Sequence, residues 1–312
     1  MTVDEQLVTF RGRCPFKMYI PSKPGRYGVK IWILADTESK YCYNAEIYIG
    51  KVGNVREVNQ ATRVALELTE PLSASGRNVV GDNFFSSLQL VRCLEQRKLT
   101  YFGTIRKNKP ELPVSFQQSR QRQVESTLFG FHENITIVSY VPKKNKVVNL
   151  ISSAHDSAEI SYDRGKPQII IDYNHSKYGV DTLNQLVRKY SCKRKTLRWP
   201  MALFFNMLDM ASYNAFVIFG FMNPGWNRNK LHRRRLFLIQ LARELAGVKE
   251  ADPPTRGIQC GEESIGSKST SRRRCKMCGW DKDKKSVLSC EMCTDAMCKE
   301  HCVTLCRACF TE

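Results

Sequence analysis

IIIDYNHSKYGVDTLNQLVRKYSCKRKTLRWPMALFF, residues 169–205, is the stretch from which the rest of the chain can be read. Its β-branched opening, Ile169–Ile171, reads as a short buried strand ending on Asp172. A polar turn containing Gly179 follows, and a helical pattern begins near Asp181. Aspartate suits a helix start because its carboxylate accepts backbone N–H groups left unpaired there. Beyond it come Arg188, Lys189, Lys193, Arg194, Lys195 and Arg198, with no acid among them. A carboxylate heading a helix with so cationic a continuation fits a metal-binding acid beside a polyanion. It equally fits a capping aspartate on a solvated helix.

Charge narrows the partners. The 312 residues carry 49 Lys plus Arg against 30 Asp plus Glu, a formal net charge of +19. Such a surplus favours a polyanion, nucleic acid before an acidic membrane surface. The N-terminal MTVDEQLVTF has neither the basic start nor the apolar core of a signal peptide. Trp199–Met222 is the long apolar run, but Asn206, Asp209, Ser212 and Asn214 interrupt it at helical intervals. It reads as a buried helix with one wetter stripe rather than a span, so no membrane partner is expected.

Upstream, no acid lies between Glu5 and Asp36, while Arg11, Arg13, Lys17, Lys23, Arg26 and Lys30 are interspersed with Pro15, Pro21 and Pro24. This reads as an extended basic lead-in, residues 6–28. Val29–Ala35 is then an apolar strand ending on Asp36, with Tyr41–Ile49 as its hairpin partner. Ala61–Leu68 reads as a helix, Asn78–Gly81 as a strand ending on Asp82, Ser86–Lys98 as a helix capped by Ser86 or Ser87, and Thr100–Ile105 as a strand. That alternation argues for a mixed α/β sheet, and strand-end acids such as Asp36 and Asp82 lie where open sheets bind ligands. Residues 1–105 are thus the first part of an α/β domain, which the family resemblance given below implies is catalytic. Residues 106–168, with prolines and short alternating strands at Ile135–Val141 and Val147–Ile151, read as a β-rich insertion. Residues 169–250 complete the domain with basic helices, including a second cluster at Arg228, Lys230, Arg233, Arg234 and Arg235. A polar linker spans 251–272.

Of 13 cysteines, eight fall between Cys275 and Cys309. The pattern Cys275-x2-Cys278-x11-Cys290-x2-Cys293-x4-Cys298-x2-His301-x4-Cys306-x2-Cys309 supplies four ligand pairs, enough for two tetrahedral Zn²⁺ ions. Residues 273–312 therefore form a zinc module too small to build an adequate core without metal. Alternating pairs would put Cys275, Cys278, Cys298 and His301 on one ion and Cys290, Cys293, Cys306 and Cys309 on the other. Sequential pairing is the rival, and spacing does not choose between them.

FRGRCPFKMYIPSKPGRYGVKIW, GDNFFSS, GTIRKNK, GKPQ, YNHSKYGVDTLNQ, RKTLRWPMALF and the cysteine array occur in one order over nearly the whole chain. In this the sequence resembles the C-terminal half of piggyBac-type transposases. The resemblance implies an RNase H-like fold with a β-rich insertion, and a cross-brace (RING- or PHD-like) zinc tail that favours alternating pairing. It places the family's three catalytic aspartates on Asp36, Asp82 and Asp181, preferring Asp181 to Asp172. Two Mg²⁺ (or Mn²⁺) ions would neutralise such carboxylates, activate a water or 3′-hydroxyl and stabilise the leaving oxygen. DNA hairpin ends and TTAA targets are the implied substrates. The family motif has a further aspartate where this chain has Asn184, an amide that cannot neutralise a cation. The family also carries a long N-terminal region, so the chain reads as N-terminally truncated, with homodimerisation expected only when that region is present.

Arg188, Lys189, Lys193, Arg194, Lys195 and Arg198 are candidate phosphate contacts, and Trp199 a candidate stacking platform for an unpaired base. Arg272–Arg274 reads as a nuclear import signal as readily as a DNA contact, and a nuclear location is expected. Two function classes follow. One is a metal-dependent nuclease and strand transferase. The other is a decayed or domesticated, non-catalytic DNA- or chromatin-binding protein that uses its basic surface and zinc module.

Overall fold

The computed structural model describes residues 1–50, 57–117, 122–162, 165–248, 272–278, 282, 284–288 and 296–301. Two compact units divide the chain at 1–247 and 248–312. The larger is built on a nine-stranded sheet.

Its strands are β1 (Thr2–Thr9), β2 (Met18–Tyr19), β3 (Tyr27–Ala35), β4 (Cys42–Ile47), β5 (Asn78–Gly81), β6 (Thr100–Ile105), β7 (Thr127–His132), β8 (Ile135–Lys143) and β9 (Lys146–Ser152). The order is β2-β3-β1-β5-β6-β9-β8-β7, with β4 also on β3. Strands β1, β5 and β6 are mutually parallel; β3 and β9 flank them antiparallel. The helices are α1 (Gln60–Thr69), α2 (Leu88–Gln96), α3 (Val114–Gln117), α4 (Gln168–Ser176), α5 (Gly179–Lys189), α6 (Trp199–Met222) and α7 (Arg233–Leu245).

Period-two alternation along β3 divides the core. Trp32 and Leu34 join Val3, Val79 and Tyr101 under α1 and α2. Ile31, Ile33 and Ala35 meet Val180, Leu183 and Val187 of α5 and Leu203, Met210 and Tyr213 of α6. The mixed α/β sheet is therefore present, with helices on both faces. The Ser87 hydroxyl caps α2 by accepting the Leu90 N–H at 3.1 Å.

Three expectations are corrected. The first thirty residues are not simply a lead-in, because β1 is a central strand, paired to β3 from Thr2↔Ala35 to Thr9↔Gly28. Ile169–Ile171 is not a strand. It opens α4, directly after Pro167, and Ile169 and Ile170 both pack on Val138, Tyr140 and Leu150 of β8 and β9. Pro167 suits the start of a helix, and burial against the sheet overrides the β preference of three isoleucines. Third, the strands of the segment read as an insertion continue the main sheet, since β9 pairs with β6 from Phe102↔Ser152 to Ile105↔Asn149.

Helix α6 is long and apolar enough, at mean hydropathy 1.3, to cross a bilayer by length and composition. Here one face, Ala202, Leu203, Met210 and Tyr213, is buried, while Phe204, Met207 and Phe221 are exposed, so it is less buried than its sequence suggests.

Helix α5 can lie against β1 because its first residue is Gly179. A β-carbon there would stand 2.6 Å from Thr2 Oγ1 and 2.9 Å from Thr2 Cβ. Thr2 Oγ1 in turn donates to the Ser176 carbonyl at 2.9 Å. Gly179→Ala is expected to push α5 off the sheet and cost about 1–3 kcal/mol, read as a lower urea midpoint at unchanged m-value.

Candidate active site and metal centre

The parallel pairing of β1 with β5 ends at Val3↔Gly81. The next residues on the two strands, Asp4 and Asp82, are therefore neighbours across one strand spacing, about 4.8 Å. Because β5 stops there, the Glu5 carbonyl is left without a ladder partner on that side, and Lys23 Nζ donates to it at 3.4 Å. The same ammonium lies 3.4 Å from Glu5 Oε1 and 3.8 Å from Asp181 Oδ1 in the first turn of α5. Asp4, Glu5, Asp82 and Asp181 thus converge on one sheet edge.

Their electrostatics describe a cation-poor site. Burial, with the Glu5 charge next, pushes the Asp4 carboxyl up to about 8; the Glu5 N–H and Lys23 oppose this, and Asp82 adds to it. Burial also raises Asp82, although its Oδ1 accepts the Phe84 N–H at 2.9 Å and Arg106 helps to stabilise its charge. One turn beyond Asp181, Asn184 Oδ1 is buried and without a hydrogen-bond partner. Carboxylates disfavoured in their charged form, with an orphaned amide oxygen one turn along α5 from Asp181, form an oxygen-rich group short of positive charge. A hard divalent cation fits such a set.

Asp36 is not among these groups. Because β3 runs antiparallel to β1, its end at Ala35 lies beside Thr2, which puts Asp36 level with Met1, three residues before Asp4, the residue beside Asp82. From the strand geometry Asp36 stands roughly 14 Å from Asp82, two strands across and three residues along. Its Oδ2 accepts the Ser39 hydroxyl at 2.6 Å, the Ser39 N–H at 2.7 Å and the Glu38 N–H at 3.2 Å. Burial opposes its charge, but these bonds hold its carboxyl below the usual range. It closes the β3–β4 turn. Asp172, the other acid considered, is on α4 and binds His155 Nε2 at 2.9 Å and Gln168 Nε2 at 2.8 Å. Asp4 and Glu5 join this edge without having been expected from the sequence; the trace they leave there is the acidic pair inside the alternating stretch TVDEQLVT.

The cationic residues are split differently from the helical continuation expected. Helix α5 carries Arg188 and Lys189 and ends there; Lys193, Arg194, Lys195 and Arg198 lie on the connector to α6. All six are exposed. The buried Asp209 of α6 pins that connector, accepting from the Ser191 hydroxyl and, at 2.8 Å, the Cys192 N–H. Lys193 Nζ donates to the Thr9 carbonyl. Trp199 is half-buried, edge-on to Phe16 with ring centroids 4.9 Å apart, and belongs to the α5–α6 core. Of the second basic cluster, Arg234 is buried, donating to the Leu186 carbonyl and stacking 4.8 Å from Tyr213.

In the smaller unit, β10 (Arg273–Arg274) and β11 (Lys285–Ser286) form an antiparallel hairpin. Cys275, Cys278, Cys298 and His301 bring four ligand atoms within 4.8 Å of one another. Sγ of Cys278 and Cys298 are 3.8 Å apart, and His301 Nδ1 lies 3.6, 3.6 and 3.2 Å from Sγ of Cys275, Cys278 and Cys298. Metal–sulfur bonds of about 2.3 Å and a metal–nitrogen bond of about 2.0–2.1 Å in a tetrahedron give edges of about 3.8 and 3.6 Å. The group is the first set of the alternating pairing. Cys290, Cys293, Cys306 and Cys309, and the linker apart from Arg272, lie outside the described residues.

Comparison with known proteins agrees with this architecture. A family profile described as "Transposase IS4" matches residues 1–216. The human "PiggyBac transposable element-derived protein 3" is 24% identical over 233 residues, 69% of this chain and 39% of that protein. The human "Chimeric ERCC6-PGBD3 protein" matches at 24% over 233 residues, 22% of its length. The chain therefore spans well under half of these relatives. Among solved structures, a piggyBac transposase, determined by cryo-EM as a synaptic complex with hairpin DNA, superposes with a TM-score of 0.73 at 37% identity, covering 99% of this chain and 69% of that one. With a family match over more than two thirds of its length and that superposition, this chain belongs to the piggyBac-type transposases.

Proposed function

We propose that the chain is the catalytic portion of a transposase that cuts and joins DNA strands at an RNase H-like centre, with Asp4, Asp82 and Asp181 as its acidic triad. The observation that carries this reading is the convergence of these carboxylates at one sheet edge, the first two disfavoured in their charged form by burial. Asp4, Asp82 and Asp181 would hold divalent ions, Mg²⁺ or Mn²⁺, with Asn184 Oδ1 a neutral fourth donor. When bound, such ions activate the attacking hydroxyl and stabilise the leaving oxygen at phosphorus. The chain's own residues supply position. Strands β1 and β5 fix Asp4 and Asp82 side by side, and Gly179 lets the head of α5 bring Asp181 to them.

The exposed Arg188, Lys189, Arg194, Lys195 and Arg198 suit DNA phosphates, following α5 away from the acids. The DNA held by the related piggyBac transposase supports duplex or hairpin ends as the substrate class, and TTAA as the target follows from the family resemblance. Cys275, Cys278, Cys298 and His301 are read as a zinc site, which would stabilise the smaller unit rather than catalyse. A nuclear location goes with this function.

The test is strand nicking and joining of a TTAA-containing transposon-end duplex in Mg²⁺ or Mn²⁺, by the chain and by Asp82→Ala. Metal-dependent cleavage lost in the variant is expected. Salt-sensitive DNA binding without cleavage, unchanged by Asp82→Ala, would instead favour the non-catalytic binding protein, the reading that Asn184 supports.

A further inference from the structure

Lys23 stands among the acids of the site, and no part of the function above uses it. It sits on the β2–β3 connection between Pro21 and Pro24, whose rings fix φ and stiffen the tip. The tip is closed by hydrogen bonds from Ile20 N–H to the Arg26 carbonyl at 2.7 Å, Lys23 N–H to Ile20 at 3.2 Å, and Arg26 N–H to Lys23 at 3.0 Å. Its ammonium is therefore delivered to the acids by a braced turn, with its side chain 23% exposed.

We propose that Lys23 is the resident counter-cation of the metal-free site, and that a divalent ion must displace it to load. This rests on reading Asp4, Asp82 and Asp181 as a metal centre. The contacts are those of a shared point charge. Nζ is 3.4 Å from Glu5 Oε1 and 3.8 Å from Asp181 Oδ1, both longer than the 2.7–2.9 Å of a charge-assisted hydrogen bond. An ammonium held this way neutralises several carboxylates without being locked to one, and a lysine stem can swing clear. The Lys23 ammonium is shared by Asp4, Glu5 and Asp181, and Arg106 acts on Asp82, so four acids are met by two cations and the site stays undercompensated and receptive to a dication. A dication and an ammonium in the same small space repel strongly, so occupancy by one opposes the other. A purely structural salt bridge would leave metal affinity unchanged, and an ammonium that helps bind metal would give the opposite dependence.

The experiment titrates Mn²⁺ into the full zinc-loaded chain, following free Mn²⁺ by EPR, for wild type, Lys23→Met, Lys23→Gln, Lys23→Arg and Asp181→Asn. Lys23→Met and Lys23→Gln are expected to bind Mn²⁺ at least about tenfold more tightly than wild type, and Lys23→Arg much as wild type does. Two neutral replacements guard against one that misfolds. Without metal, both neutral variants are expected to melt below wild type, and Mn²⁺ is expected to close that gap. Equal or weaker Mn²⁺ binding by the folded neutral variants, with wild-type binding still reduced by Asp181→Asn, overturns the role of Lys23 alone. Mn²⁺ binding indifferent to Asp181→Asn overturns the metal centre itself, and the proposal with it.

Discussion

Asp4→Asn is expected to lower metal-dependent strand cleavage by a thousandfold or more, about 4 kcal/mol of transition-state stabilisation, while Asp36→Ala leaves it within about threefold of wild type. The two acids are assigned opposite roles by one feature of the sheet, the direction of β3. Asp4 lies on β1 directly beside the residue that follows β5, where Asp82 sits. Its carboxyl is pushed up to about 8, first by burial and then by the neighbouring Glu5 charge. Such a group is maintained in a buried strand at a cost to the fold, which a bound cation would offset. In the proposed metal centre, removing its charge would take away a ligand in a set that Asn184 already leaves one charge short. Asp36, by contrast, spends both its charge and its hydrogen-bonding capacity on Ser39 and Glu38. Its removal should therefore appear in stability, about 1–2 kcal/mol, as the β3–β4 turn loses its acceptor. The check is a cleavage assay and a urea denaturation run on both variants and on Asp82→Ala. An inactive but folded Asp36→Ala beside an active Asp4→Asn would reverse the assignment.

Sequence alone points to Asp36 for a physical reason. A strand-end acid is a sound site marker when strands are parallel, because their carboxyl ends share one edge. VKIWILAD and NVVGD look alike as strings, but β3 runs against β5, so their ends face away from each other. Periodicity reports that a segment is extended; it carries no sign of direction. The strand bearing Asp4, the first acid of the proposed triad, is hidden for a related reason. TVDEQLVT places Asp4, Glu5 and Gln6 mid-strand, and polar residues there break the apolar pattern by which a central strand is recognised. The same residues that make the site obscure the element bearing it. In α4 packing overrides propensity, since three consecutive isoleucines favour a strand until the sheet face waiting for them is known. Where local chemistry alone decides, as with the Ser87 cap, the Asp82 strand end and the first-turn position of Asp181, sequence and structure agree. Trp199 shows the limit of composition. Beside six exposed cations it resembles a stacking platform, yet Phe16, 183 positions earlier, is what it packs against.

Removing metal from the cysteine unit is expected to unfold it while the larger unit keeps its melting transition. Among its described residues, regular structure amounts to one hairpin of two-residue strands, and the buried apolar side chains are Cys275, Ala296 and Cys298. Two of these three are ligands of the cluster itself. Apolar burial on that scale is far from offsetting the chain entropy of ordering the segment. Tetrahedral thiolate–imidazole coordination of zinc contributes about 10–16 kcal/mol at neutral pH, enough to invert the balance. Chelation with phenanthroline, or Cys298→Ser, should therefore convert the segments around Cys275–Cys278 and Cys298–His301 from protease-resistant to rapidly cleaved. The ligand pattern also predicts stoichiometry. With alternating pairs, Cys298→Ser and Cys306→Ser each release one zinc equivalent, from different ions, and the double variant releases both. Sequential pairing would put Cys298 and Cys306 on the same ion, so the double variant would release no more than either single one. The placement of Cys298 and His301 against Cys275 and Cys278 favours the first result. A metal-free unit that stayed protease-resistant would mean that contacts outside the cluster fold it, and the cysteines would need another explanation.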